Sequence, residues 1–137
     1  MQTEIIIRMI AEAIDARKLS YSPYSKYPVG ASILCESGKI YTGCNIENAS
    51  YGLTVCAERI AVFNAISNGE HWIKAVAVIG SGEEPAQPCG ACLQVISEFC
   101  RNMTKVDIIV AKNIDEYEIN KLSVHLPKAF VFHQAIE

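Results

Sequence analysis

Two short cysteine motifs constrain this chain more than any other feature. Pro88-Cys89-Gly90-Ala91-Cys92 sets two thiols three residues apart, and Cys56-Ala57-Glu58 sets a third thiol beside a carboxylate. Each opens a stretch of helical apolar spacing: Ile60, Phe63 and Ile66 after the first in the chain, and Cys92, Val95, Ile96 and Phe99 within the second. Thiols at i and i+3 at the start of a helix face one point, where the positive end of the helix dipole favours their thiolate forms. Taken alone, the paired cysteines fit either a metal clasp or a thiol–disulfide exchange enzyme. Cys56 and Glu58 favour the metal. Three protein ligands leave one tetrahedral position of zinc open, which separates a catalytic site from a closed structural one. A carboxylate beside that position can take protons from water and return them. The fold must therefore bring two helix N-termini to one place.

The rest of the chain supplies a scaffold for that meeting. Ile6, Met9, Ile10, Ala13 and Ile14 recur at three- and four-residue steps, predicting a first helix that stops near Ser20, ahead of Pro23. Residues 28–34 and 39–44 flank Glu36-Ser37-Gly38 and read as a hairpin. A second helix begins at Cys56 and ends near Asn68-Gly69. Residues 73–79 are β-branched and nearly all apolar, as a central strand covered on both faces should be. A third helix follows from Pro88-Cys89, and residues 106–111 form another buried strand. A weaker amphipathic stretch, 117–122, is the last strand, before Leu126-Pro127 and a short C-terminal tail. Strand–helix–strand order implies parallel pairing. The expected architecture is α/β, a three-layer α/β/α sandwich with a mixed, mostly five-stranded sheet, in a single catalytic domain over residues 1–137.

Composition narrows the function classes. Half of the 137 residues are apolar, enough for a well-filled core, while 20% are charged and the net charge is −3. Lys and Arg are scattered along the chain, without the basic stripe a nucleic-acid binder uses, so the expected partner is a small molecule. Glu4, Arg8, Glu12 and Asp15 interrupt the N-terminal apolar patch, unlike a signal peptide, and no run of about eighteen apolar residues occurs. The expected location is the cytoplasm, with no membrane association. There the six cysteines should be reduced, bound to metal or buried. Cys35, Cys44 and Cys100 lack metal-like spacing and read as buried free thiols. His71, His125 and His133 are dispersed and receive no role, and Trp72 reads as packing.

Cys56-Ala57-Glu58-Arg59 and Pro88-Cys89-Gly90-Ala91-Cys92 resemble the zinc motifs of the cytidine deaminase family. Residues 24–31, Tyr-Ser-Lys-Tyr-Pro-Val-Gly-Ala, resemble its first-strand signature. Residues 43–52, Gly-Cys-Asn-Ile-Glu-Asn-Ala-Ser-Tyr-Gly, resemble its nucleoside-binding loop. The ordered set is similar to the short, homotetrameric, three-cysteine class. The resemblance implies hydrolytic deamination of cytidine and deoxycytidine to uridine and deoxyuridine with release of ammonia, as in pyrimidine salvage. It implies one Zn²⁺ per chain on Cys56, Cys89 and Cys92, Glu58 as general acid and base, and Arg59 behind the thiolates. The Ala57 N–H would hold the pyrimidine 2-oxo group, and the Gln87 carbonyl would accept from the 4-amino group. Asn45 and Glu47 would bind the ribose 3′-hydroxyl, and Tyr27 would stack on the base. Ala49, Tyr51 and Phe130 would reach a neighbouring subunit's pocket in a homotetramer with shared sites.

The chain departs from the family pattern at Tyr27, where Phe is usual, at Gln87, where Ser is usual, and at Leu93, where Arg commonly follows the last cysteine. With Arg59 left as the guanidinium near three thiolates, the zinc is expected to be a weaker Lewis acid than in relatives. These departures keep open a second substrate class, modified or antibiotic aminopyrimidine nucleosides of the blasticidin type. A thiol oxidoreductase using Cys89 and Cys92, or a non-enzymatic zinc-stabilised domain, would need neither Cys56 nor Glu58.

Overall fold

A computed structural model describes residues 1–132; His133 and the rest of the C-terminal tail lie outside the described residues. Strand residues of opposite parity feed two separate cores, because successive strand side chains point to opposite faces. Strands β1 (Gly30–Cys35), β3 (Ile73–Ile79) and β4 (Asp107–Ala111) are buried along almost their whole length. Ala31, Ile33, Val76, Val78, Ile108 and Val110 point to one face. Leu34, Ala75, Ala77, Ile79, Ile109 and Ala111 point to the other. Helix α1 (Thr3–Arg17) covers the second face with Ile6, Met9, Ile10 and Ala13, as its spacing predicts. Helices α2 (Ala57–Ser67) and α3 (Gly90–Glu98) cover the first. Each fully buried aliphatic side chain contributes roughly 1.5–3 kcal/mol. A buried hydroxyl on the α1 side, Ser32 Oγ, donates to the Met9 carbonyl at 2.8 Å, so its burial leaves no unmet bond.

The sheet order is β2-β1-β3-β4-β5, with β2 at Ile40–Cys44 and β5 at Tyr117–Lys121. Among these five strands, β3 and β4 pair in parallel, joined by the α3 crossover; the other three pairs are antiparallel. The three-layer sandwich with a mixed five-stranded sheet is therefore the observed fold. The edge strand β5 is largely exposed, and its last residue, Lys121, donates to Asp107 at 2.7 Å. A short helix α4 (Leu122–His125) follows, where the sequence pattern suggested only an approach to the tail. Leu122 anchors it in the core.

One helical face differs from expectation. Ile60, Phe63 and Ile66 do not form the core side of α2: Phe63 is 47% exposed, Ile60 is half-buried, and Ile66 sits at the margin of the core. The buried face is Ala57, Glu58, Ala61, Val62 and Ala65. The cause is a backbone-to-backbone approach that only small residues allow. A Cβ on Gly43 of β2 would stand 2.4 Å from the Ala61 nitrogen and 2.8 Å from the Ala57 carbonyl oxygen. With the helix seated this low, alanines fill the interface and the large side chains turn outward. Among the described residues, no helix is long and apolar enough to cross a membrane.

Candidate active site and metal centre

Both cysteine motifs lie at helix starts, and the two starts converge. Cys56 caps α2 in an extended conformation, and Cys89 caps α3, its Sγ accepting from the Cys92 amide at 3.5 Å. The Sγ atoms stand 3.9 Å apart for Cys56 and Cys89, 3.5 Å for Cys89 and Cys92, and all three lie within 4.8 Å of one another. A tetrahedral zinc with bonds of about 2.3 Å needs sulfur–sulfur edges of roughly 3.8 Å. The cluster fits that ion with small adjustment.

Charge points the same way. The Cys56 thiol is drawn down to about 5, first by the neighbouring Cys92 thiol, which keeps its proton, with further help from Arg59, whose Nη2 lies 3.5 Å from the sulfur. Cys92, beside the Cys56 thiolate and fully buried, is held far above the ordinary thiol range. One thiolate is thus stabilised by its neighbour's proton, and only a cation at the centre lets all three ionise together. Arg59 is the one cation hydrogen-bonded to these sulfurs among the described residues. Leu93, by contrast, packs into the apolar core beside α2.

Glu58 lies two residues into the same helix turn, 4% exposed, and burial pushes its carboxyl up to about 7. A cavity of about 210 Å³ opens in front of it, lined by Tyr27, Asn45, Cys56, Ala57, Glu58, Gln87 and Cys89, with Val29, Thr54, Val78 and Ala86 completing the wall. Cys92 is not in that wall; its sulfur accepts a hydrogen bond from the Cys89 thiol at 3.5 Å. Glu47 and Tyr51 are elsewhere: with Tyr24, Ser25 and Thr54 they line a second cavity of about 330 Å³ that shares Thr54 with the first. The Glu47 carboxylate accepts from the Ser25 hydroxyl, and from the amides of Ser25 and Tyr24 at 3.1 and 3.0 Å, which together lower its affinity for a proton. Ala49 is exposed and lines neither cavity. Phe130 is 73% exposed, and its backbone is held at both ends by Gln94, with bonds of 2.8 and 3.1 Å.

Asn45 is 8% exposed, and its amide is already employed. Oδ1 accepts from Val29 N at 2.9 Å and from Ser20 Oγ at 2.5 Å, and Nδ2 donates to the Tyr27 carbonyl at 2.9 Å. Sequence reasoning did not single out Val29, Thr54, Ala86 or Ser20. Nothing in their types marks them, since valine, alanine and hydroxyl residues are common in walls and turns. Cys35, Cys44 and Cys100 are free thiols away from this centre, the first buried and the others half-buried. Trp72 packs under the Arg101 guanidinium, 4.4 Å from its ring centre.

A three-layer sandwich that sets three cysteines and one buried carboxylate at the meeting of two helix N-termini defines an open zinc centre of hydrolytic type. The family profile described as cytidine and deoxycytidylate deaminase zinc-binding region matches residues 3–109, and the chain belongs to that family. A cytidine deaminase of Sporosarcina psychrophila is 51% identical over 124 residues, 90% of this chain and 89% of the relative. One from Halalkalibacterium halodurans is 47% identical, covering 89% and 91%. Among solved structures, the cytidine deaminase of Burkholderia pseudomallei superimposes with a TM-score of 0.83 at 38% identity, covering 90% of this chain and 97% of that one.

Proposed function

We propose that this protein is a zinc-dependent hydrolase that converts cytidine and deoxycytidine to uridine and deoxyuridine, releasing ammonia. The observation that carries the reading is the single cavity that gathers Cys56, Cys89, buried Glu58, Tyr27, Asn45 and Gln87. Held on the three thiolates, zinc would supply Lewis acidity to an attacking water. Glu58 takes one proton from that water as its oxygen joins C4, and delivers the proton to N3. It then moves the water's second proton to the amino nitrogen, the C4–N bond breaks, ammonia leaves, and the oxygen remains as the 4-oxo group. The Glu58 carboxyl, raised by burial, sits near neutrality, where one group can both accept and donate.

The remaining residues orient the base and sugar. The Ala57 amide holds the 2-oxo group and the Gln87 carbonyl accepts from the 4-amino group, so replacement of Ser by Gln at 87 leaves that contact intact. Tyr27 keeps an aromatic face for stacking. Asn45 and Glu47 bind the ribose 3′-hydroxyl from the two neighbouring cavities. Ala49, Tyr51 and Phe130 complete a neighbouring subunit's site in a homotetramer; Tyr51 at 74% and Phe130 at 73% exposed line no part of their own chain's base cavity, which supports that reading.

Loss of absorbance near the cytidine band tests the assignment, using zinc-quantified protein and a panel of cytidine, deoxycytidine and substituted cytosine nucleosides. Turnover of the first two at about one zinc per chain is expected. Turnover confined to substituted nucleosides would replace the substrate class, and bound zinc with no turnover on any member would overturn the enzymatic reading.

A further inference from the structure

We propose that the C-terminal end of α1 is a positioning device for the active site, in which Ser20 fixes the donor direction of Asn45 and Arg17 holds the loop that carries Gln87 and Cys89. This rests on the deaminase reading of the cavity. The helix end is placed by direct backbone contact. A Cβ on Gly30 would stand 1.9 Å from the Ala13 carbonyl oxygen and 2.8 Å from the Arg17 nitrogen, so α1 lies flat on β1 at that point. Gly30 pairs with Ile79, the last residue of β3. From this seat the Arg17 guanidinium donates to the carbonyl of Gly80, the next residue, at 2.5 Å. Gly80 begins the segment that ends at Gln87, Pro88 and Cys89.

The chain leaving α1 then runs beside the Asn45 segment. Tyr21 N donates to the Asn45 carbonyl at 3.1 Å, and Glu47 N donates to the Tyr21 carbonyl at 2.9 Å. That register brings Ser20 Oγ within 2.5 Å of Asn45 Oδ1. The Asn45 amide has a fixed sense, because Val29 N–H needs an acceptor and the Tyr27 carbonyl needs a donor. Oδ1 has two lone pairs; Val29 takes one and Ser20 the other. What remains uncommitted is one amide hydrogen, so Ser20 makes Asn45 a pure donor toward whatever occupies the cavity. The same groups border a separate cavity of about 410 Å³ lined by Arg17, Lys18, Ser20, Pro28 and Ser81, so they can be altered without opening the core.

Steady-state kinetics and amide hydrogen exchange on the zinc-loaded enzyme test this. Ser20→Ala is expected to raise KM for cytidine about three- to tenfold, the worth of one net hydrogen bond, with kcat within about twofold. Ser20→Thr, which keeps the hydroxyl donor, restores KM. In an Asn45→Ala background the Ser20→Ala change adds nothing, because its target is gone. Exchange at the Tyr27 and Val29 amides rises in Ser20→Ala, and exchange at the non-proline amides of 80–87 rises in Arg17→Met, which also lowers kcat. The exchange measurement reads the clamp even if cytidine proves not to be the substrate. Unchanged exchange in both variants, or a Ser20→Ala effect that is fully additive with Asn45→Ala, would overturn the proposal.

Discussion

The contact between β2 and α2 makes Gly43→Ala a severe test of how the fold sets the chemistry. An added Cβ would lie 2.4 Å from the Ala61 nitrogen, whereas ordinary contact begins near 3.4 Å. The atoms in the way are backbone, so no side-chain rotation relieves the clash and α2 must retreat by about 1 Å. Overpacking of this kind costs roughly 1–3 kcal/mol, which for a chain of this size lowers the thermal midpoint by roughly 3–10 °C. The retreating turn includes Ala57, whose carbonyl oxygen would be 2.8 Å from the new methyl, and it carries Cys56 and Glu58. A displacement of about 1 Å at the reacting atoms can cost about a hundredfold in rate. The expected result is a variant that folds, binds zinc and shows kcat for cytidine down by about ten- to a hundredfold. Differential scanning calorimetry, metal analysis and the absorbance assay read the three quantities. A Gly43→Ala enzyme with wild-type midpoint and wild-type kcat would refute the argument that backbone contact at this glycine sets the height of the active-site helix.

Glu58→Gln keeps the shape of the buried side chain and removes the proton transfer proposed for it; kcat should fall by at least about 10²–10⁴ while zinc content, measured by elemental analysis, stays at wild-type level. On the homotetramer proposed above, Phe63→Ser, on the outward face of α2, should leave the fold intact and shift the mass measured by light scattering toward the monomer, and an unchanged mass would exclude that face from the assembly. The buried Cys35 thiol is pushed up to about 11, chiefly by desolvation and secondly by the Glu70 charge. Because the folded value exceeds the ordinary 9.0, the unfolded chain loses this proton first, and stability falls as pH rises from about 9 to 11. Denaturant titrations across that window should show a shallower decline in Cys35→Val than in wild type.

The scaffold was legible where pattern and burial agree. Strand β3 carries apolar residues at nearly every position because both of its faces are covered, and α1 shows its buried stripe plainly. The chemistry was legible because cysteine and glutamate at helix starts are few and their spacing is tied to coordination. Helix α2 departs from its pattern for a physical reason: its core face is built largely of alanines, which weigh little in a hydrophobic pattern, while Phe63 points away from the core. Whether a helix sits close on its sheet depends on a glycine in another element, and no periodicity within α2 records that. The walls of the cavity were illegible for a similar reason. Ser20 and Arg17 matter through bonds that span 25 and 63 residues, and a local pattern carries no trace of such partners.

The electrostatics of the centre follow from the same placement. Three thiolates around a divalent zinc leave a net charge of −1, which the protein must balance without neutral partners such as histidine. Two helix N-termini supply part of that balance, because Cys56 and Cys89 each occupy a cap position where the helix dipole presents partial positive charge. Arg59 supplies the rest through its contact with Cys56. The position after Cys92 contributes nothing, since Leu93 is turned into the apolar core, where a guanidinium would be desolvated. The burden therefore falls on one side of the cluster, at Cys56. Removing the guanidinium with Arg59→Gln should weaken zinc retention against a chelator more than any single change at the Cys89–Cys92 side that spares the thiols.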